Sequence, residues 1–479
     1  MGYIFTLIIS FSLIFNTFSQ TSVIHCINKT YAGETLSLMR FKDFITLEEE
    51  ILCTTKVDTT GEIKFEINLN EVTQTFIYLG SMKGIIYLEP GKSYQIKLPN
   101  KIEKDKKDLL NPFFTESEFY IGIVNTSKSE LNRLIVEFED VFTNYLTAYY
   151  DILLKRSPKA ELDTAIAKMD KRFEGRTHPY FDIYRKYRYA YLRHLCHERD
   201  IEFMARKYFN NQPIYPQNNA YTELFNQVFS QYFAHFQNLK SGKKLMDALA
   251  SDKPFVNIKM EIDTTIKGDT LKELVCLRSL MDLFYQSTIP RELTISILDN
   301  ISNQSVYPNH QQIAREIKTK SMRLIPGSEA PNFVCTDKVG TKIDLKKYRG
   351  KFVYLCFTMS DSYESKQHFI ILKDIYTRMR KQLEIVTISA DPKFNDMLYF
   401  AKENKYNWVF LDGSNQTEIF KTYNVKAYPS YFLIDPEGNL VLSPSISPAE
   451  NFEKAFVGYE QYYRIERARK QYKKNLKDK

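Results

Sequence analysis

The stretch KFVYLCFTMSDSYES, residues 351–365, constrains the fold more than any other. Its unbroken apolar run from Phe352 to Phe357 reads as a strand buried on both faces, as the inner strands of parallel sheets are. The run empties into a polar turn, Ser360–Glu364. Apolar Phe369, Ile370, Leu372, Ile375 and Tyr376 then recur at spacings of three and four, the pattern of an amphipathic helix. A strand, a turn and a helix in this order put the turn at the carboxyl end of a sheet strand, where open α/β sheets do their chemistry. The helix N-terminus favours negative charge and lowers the pKa of a thiol placed there.

Two further segments follow the same logic. NVKAYPSYFLIDPEGNLV, residues 424–441, sets Pro429 just ahead of the apolar strand Tyr431–Ile434, and a proline belongs at a strand's start because it cannot donate to the ladder. The lead-in, IPGSEAPNFVCTDKVGTKIDLKKYRGK, covers residues 325–351. Taken in order, the three segments resemble the thioredoxin-fold proteins of the TlpA/ResA type, within the AhpC/TSA–redoxin superfamily. The family turn reads F-W-A-S-W-C-x-x-C. Here Ser360 matches the family serine, and Ser362 and Ser365 stand where the two redox cysteines should be, so that CxxC is replaced by SxxS. The resemblance covers about residues 326–456. It implies an α/β thioredoxin-like fold for that region and a cis Tyr428–Pro429 peptide facing Ser362, with Asp361, Tyr363 and Tyr428 beside a groove. It also implies lost redox chemistry, because thiol–disulfide exchange needs a thiolate and a second sulfur.

The remaining chain is long enough for about two more domains at ~150 residues each, and its 43% hydrophobic content supports packed cores. Residues 1–20, MGYIFTLIISFSLIFNTFSQ, read as a secretory signal peptide cut near Ser19–Gln20, or alternatively as an N-terminal anchor. Residues 21–100 alternate short β-like runs, such as Glu62–Leu69, Thr75–Leu79, Gly84–Leu88 and Tyr94–Leu98, with turns at Thr60-Gly61 and Pro90-Gly91. They resemble the small β-sandwich that precedes thioredoxin-like domains in many exported proteins of Bacteroidetes type. A charged linker, residues 101–112, leads into helical periodicity that runs to about residue 322, including Leu131–Leu154, Ala160–Phe173, Tyr180–Phe209, Tyr221–Leu239, Leu271–Gln286 and Gln311–Leu324. The expected architecture is therefore multidomain: an N-terminal β-sandwich at 21–100, a central all-α region at 101–325, a C-terminal α/β thioredoxin-like fold at 326–458 and a basic helical tail at 459–479.

Charge narrows the partners. The formal net charge is +8, yet residues 464–479 alone carry eight basic residues against two acidic ones. The body is nearly neutral, so no nucleic-acid surface is expected, and membrane contact is expected only through the signal segment or weakly through the tail. His194, Cys196 and His197 share a short stretch, but zinc wants three or four ligands, so neither a metal nor another cofactor is expected. The six cysteines are Cys26, Cys53, Cys196, Cys276, Cys335 and Cys356, and none forms a CxxC. Cys26 and Cys53 can pair or stay free. A serine hydrolase would need a base beside Ser362 or Ser365, and the nearest histidine in sequence is His368.

The preferred reading is an exported, redox-inactive thioredoxin-like protein of the periplasm or cell envelope that binds a protein or peptide partner. A groove beside a proline of this kind can take an extended peptide by strand addition, which needs no sulfur. The alternatives are a thiol-disulfide oxidoreductase working through Cys335 and Cys356, and a scaffold acting through the helical region.

Overall fold

The computed structural model describes residues 19–477 apart from 106–107, 109–113, 125, 155–158, 197–199, 238–241, 263–264, 287–289 and 415. The signal segment up to residue 18, much of the charged linker, and His197 lie outside the described residues. Two compact units emerge. One holds the chain through Glu103 with Glu116–Ile317, and the other holds Lys104–Thr115 with Lys318–Lys479.

In the N-terminal unit, strands β1 (Gln20–Ile27), β2 (Thr35–Phe41), β3 (Glu49–Lys56), β4 (Glu62–Leu69), β5 (Thr73–Leu79), β6 (Met82–Leu88), β7 (Ser93–Lys97), β8 (Ser117–Tyr120) and β9 (Gly122–Ile123) form two sheets, ordered β4-β1-β7-β9 and β3-β2-β5-β6-β8. β4, EIKFEINL, alternates exposed and buried along its whole length because one face meets the core and the other meets water. Ile24 and Phe65 of the first sheet share an apolar layer with Leu38, Ile77 and Ile86 of the second.

Helices α1 (Leu131–Leu154), α2 (Lys159–Lys171), α3 (Pro179–Cys196), α4 (Asn219–Val228), α5 (Tyr232–Gln237), α6 (Gly242–Leu249), α7 (Pro254–Glu261), α8 (Asp269–Gln286), α9 (Arg291–Gln304) and α10 (Pro308–Met322) follow, so the central region is helical from Leu131, whereas β8 and β9, which fall within the all-α region expected over 101–325, extend the two N-terminal sheets beyond residue 100. Two expected helices are each broken. The run expected over Tyr180–Phe209 ends at Cys196, and a new helix starts at Ile201 where the Asp200 side chain accepts from Phe203 N. The run expected over Tyr221–Leu239 breaks after Val228, with Gln231 in the left-handed region at φ 53°. The helices share a core cluster with one sheet: Phe76, Ile85 and Tyr87 pack among Phe138, Phe181 and Tyr184. Asn132 of α1 fastens this junction. Its Oδ1 accepts from Tyr87 N at 2.7 Å and its Nδ2 donates to Tyr87 O at 2.8 Å, satisfying main-chain groups that β8, which reaches only Ile85, leaves unpaired.

The C-terminal unit carries β10 (Val334–Asp337), β11 (Lys342–Asp344), β12 (Phe352–Thr358), α11 (Tyr363–Met379), β13 (Leu383–Ser389), α12 (Phe394–Glu403), β14 (Val409–Asp412), α13 (Thr417–Thr422), β15 (Ser430–Ile434), β16 (Leu440–Leu442) and α14 (Phe452–Lys477). Its seven strands run β11-β10-β14-β13-β12-β15-β16. β12 is parallel to β13, β13 is parallel to β14, and β15 lies antiparallel on the other side of β12. This is the thioredoxin-like arrangement expected from the sequence. Both faces of β12 are buried: Val353, Leu355 and Phe357 point to one core, and Phe352, Tyr354 and Cys356 to the other. α11 seats Phe369, Leu372 and Ile375 on the sheet, whereas Ile370, assigned to the apolar face from its spacing, is 58% exposed. The basic tail is the distal part of α14, continuous with the Phe452 and Phe456 turn that packs in the core.

The cysteines are all free thiols. Cys26 on β1 and Cys53 on β3 belong to different sheets and are not paired. No helix among the described residues is long and apolar enough to cross a membrane.

Candidate functional site

The polar turn sits where β12 ends and α11 begins. Ser362 has extended backbone, φ −65° and ψ 124°, and is the N-cap of α11: its Oγ accepts from Ser365 N at 3.3 Å. Serine is among the best residues for that position, since a short side-chain oxygen reaches an N–H that the helix cannot satisfy. The same hydroxyl donates to the carbonyl of Tyr428 at 3.2 Å. That carbonyl belongs to the Tyr428–Pro429 peptide, which is cis. Ser362 and the peptide leading into Pro429 are therefore in direct contact across 66 residues of sequence.

Ser365 lies one turn further in and is fully buried. Its Oγ accepts from Thr358 Oγ1, the last residue of β12, at 2.5 Å. The two serines thus bond to a carbonyl, a main-chain N–H and a hydroxyl. Neither meets a histidine. His368 Nδ1 instead pairs with Tyr431 Oη at 3.1 Å, and burial lowers the His368 pKa against the opposing pull of Glu364 and Glu450. Among the described residues, the hydrogen bonds of Ser362 and Ser365 reach no general base.

The other residues expected beside the turn differ in exposure. Asp361 is exposed, Tyr363 is 75% exposed, and Pro429 is half-buried. Tyr428 is half-buried with its ring 6.2 Å from Phe420, and its phenol is pushed up to about 12 by burial and then by the charge of Asp391. The phenol therefore stays neutral and keeps a donor.

Asp391 was not singled out from the sequence. It is buried at the carboxyl end of β13 and accepts from Ser360 N at 3.1 Å through both oxygens, from Ser360 Oγ at 2.7 Å and from Ser389 Oγ at 2.7 Å. These bonds tie the turn after β12 to the turn after β13. The only signal in the sequence was a serine and an aspartate, Ser389 and Asp391, directly after an apolar strand.

The sulfurs nearest in sequence offer no substitute. Cys356 points into one core and Cys335 into the other, three strands apart in the sheet, or roughly 14 Å. Burial pushes the Cys335 thiol up to about 12, helped by the charge of Asp412, and raises Cys356 as well. Among the described residues there is no cluster of three or more His, Cys, Asp or Glu that could hold a metal.

Residues 326–443 match the AhpC/TSA family. The chain is 34% identical over 125 residues to the thiol-disulfide oxidoreductase ResA of Bacillus thuringiensis, covering 26% of this chain and 71% of that protein. The ResA of Bacillus cereus is likewise 34% identical over 125 residues, with the same coverage. A thiol:disulfide interchange protein from Bacteroides sp. is a structural neighbour at 24% identity, covering 28% of this chain and 90% of that one, with a TM-score of 0.26. Through its C-terminal unit the chain belongs to the thioredoxin-like AhpC/TSA family and is a relative of the ResA thiol-disulfide oxidoreductases.

Proposed function

We propose that this protein is exported to the cell envelope and that its thioredoxin-like unit is redox-inactive, binding an extended peptide or protein segment in the groove beside Pro429. The observation that carries the reading is the chemistry at the start of α11, where the Ser362 hydroxyl contacts the carbonyl of the Tyr428–Pro429 peptide and the Ser365 hydroxyl is buried against Thr358. A serine hydroxyl there caps the helix but cannot form or resolve a mixed disulfide. The exposed ring of Tyr363 and the half-buried Tyr428 and Pro429 leave apolar surface at the mouth for a peptide to cover.

Export follows from the apolar N-terminal segment, whose expected cleavage at Ser19–Gln20 would release a chain beginning at β1. The two N-terminal sheets, which bury a common apolar layer, are read as a β-sandwich carried ahead of the helical region. An oxidoreductase working through Cys335 and Cys356 gains no support, since the two thiols face opposite cores and burial holds both protonated.

A pull-down from envelope extract with the full chain tests the groove. Pro429→Ala and Tyr363→Ala should each reduce recovery of the same partner, whereas retention of that partner at wild-type levels by both variants would remove the groove from the account.

A further inference from the structure

The N-terminal unit contains a cleft of about 1040 Å³ that is separate from the thioredoxin-like site. Residues 40–50, from the end of β2 to the start of β3, form one wall with Gln74 of β5. The other walls come from the 214–219 loop, from α4 and α8, and from the start of α10. Small-molecule sites favour such junctions and reach volumes on the order of 1000 Å³.

The wall's cations Arg40, Lys42 and Arg278, with Glu50 and Glu223, are already paired within the protein. Arg40 Nε meets Glu50 at 2.6 Å, Lys42 meets Glu316 at 3.4 Å, Arg278 meets Asp282 at 2.5 Å, and Glu223 meets Arg188 at 2.9 Å. Asp43 accepts from Ile45 N at 2.8 Å, from Thr46 N at 2.7 Å and from the Thr46 hydroxyl. Glu71, whose pKa is raised by burial, accepts from Gln217. His310 faces Glu273 at 3.2 Å. An anionic ligand would have to break one of these ion pairs to gain a counter-charge.

What the wall offers instead is carboxamide: Gln74, Gln217, Asn219, Asn226, Gln227 and Gln312 line the space, and the protein engages one end of four of them, Gln74 Nε2 on Tyr87 Oη at 3.0 Å, Asn219 Oδ1 under the Tyr87 and Tyr180 hydroxyls, Asn226 Nδ2 on Phe44 O at 2.6 Å and Gln217 on Glu71. Gln227 and Gln312 carry donors and an acceptor side by side, which matches a pair of neighbouring hydroxyls, and the buried Asn226 Oδ1 has no hydrogen-bond partner among the described residues. An apolar ligand would strip water from Gln227, Gln312 and the remaining amide ends and leave those groups unpartnered. Phe41 and Tyr307 add ring surface for the C–H face of a sugar. α4, α8 and α10 bond their main-chain groups internally, so recognition on those walls falls to side chains rather than to a strand edge.

We propose that this cleft binds a short neutral oligosaccharide. The inference is independent of the groove beside Pro429. It is tested by isothermal titration of the full chain with maltotriose, cellotriose and xylotriose as probes, beside trigalacturonate and tetra-alanine. One of the neutral trisaccharides should bind at one site per chain, and Gln217→Ala and Gln227→Ala should each weaken it by roughly tenfold or more with an unchanged circular dichroism spectrum. Asn219 is left intact in this test because it holds the hydroxyls of Tyr87 at 2.9 Å and Tyr180 at 3.2 Å. Absence of binding by all three neutral probes at millimolar concentration would overturn the proposal. So would binding of trigalacturonate or tetra-alanine in their place, or neutral-sugar binding indifferent to both variants.

Discussion

The hydroxyl of Ser362 donates a 3.2 Å hydrogen bond to the carbonyl of Tyr428, and so joins the start of α11 to the peptide that leads into Pro429. In the same place the hydroxyl accepts from Ser365 N and caps the helix. One small side chain thus closes a contact between two segments of the site and satisfies a helix end, without any sulfur.

Ser362→Ala should cost about 1 kcal/mol, the ordinary value of an N-cap. The single tryptophan, Trp408, makes this measurable, since it is buried in the C-terminal unit with its indole N–H 2.9 Å from Thr387 Oγ1. Urea unfolding followed by its fluorescence reads that unit, and the variant midpoint should fall accordingly.

Asp391→Ala should be costlier, about 2–3 kcal/mol by the same readout, because it leaves the buried Ser360 N–H and the Ser360 and Ser389 hydroxyls without their acceptor. A change no larger than that of Ser362→Ala would mean that water replaces the carboxylate.

How much of this was legible in the sequence depends on the range of each contact. The buried strand Phe352–Thr358 and the alternation of Glu62–Leu69 follow from local pattern, and Leu131–Leu154 has the bounds its periodicity implies. The break at Gln231 was not legible, because a glutamine in the left-handed region is held by its surroundings and not by propensity. Asp391 was missed because its turn-fixing partner Ser360 is 31 residues away, and hydrogen bonds of that range leave no spacing rule. Tyr87 was likewise unremarkable until Asn132, 45 residues on, met both of its main-chain groups.

Thiol counting follows from the same geometry. All six cysteines should titrate with a thiol reagent in denaturant without any reductant, since none forms a disulfide. In the native protein Cys53 should react first, being the one that is not fully buried. Four thiols in denaturant instead of six would reveal a disulfide at odds with this structure.

The pH dependence of the C-terminal unit should carry a contribution from His368. Burial depresses its pKa in the folded state, so the unfolded chain binds the proton more readily. That contribution to stability is full above the unfolded value of ~6.5 and is lost as pH falls from there through the lower folded value. His368→Gln should therefore lose less stability than the wild type on acidification, read again through Trp408. An identical acid response in both would assign the loss to other groups.

The account rests on serines where the ResA relatives' chemistry would require thiols, and insulin reduction driven by dithiothreitol tests it most directly. The wild-type chain should turn over no faster than the uncatalysed reaction, and the double variant Ser362→Cys, Ser365→Cys should run clearly above it on the same scaffold. Wild-type turnover well above the uncatalysed rate would contradict the claim that this thioredoxin-like unit is redox-inactive.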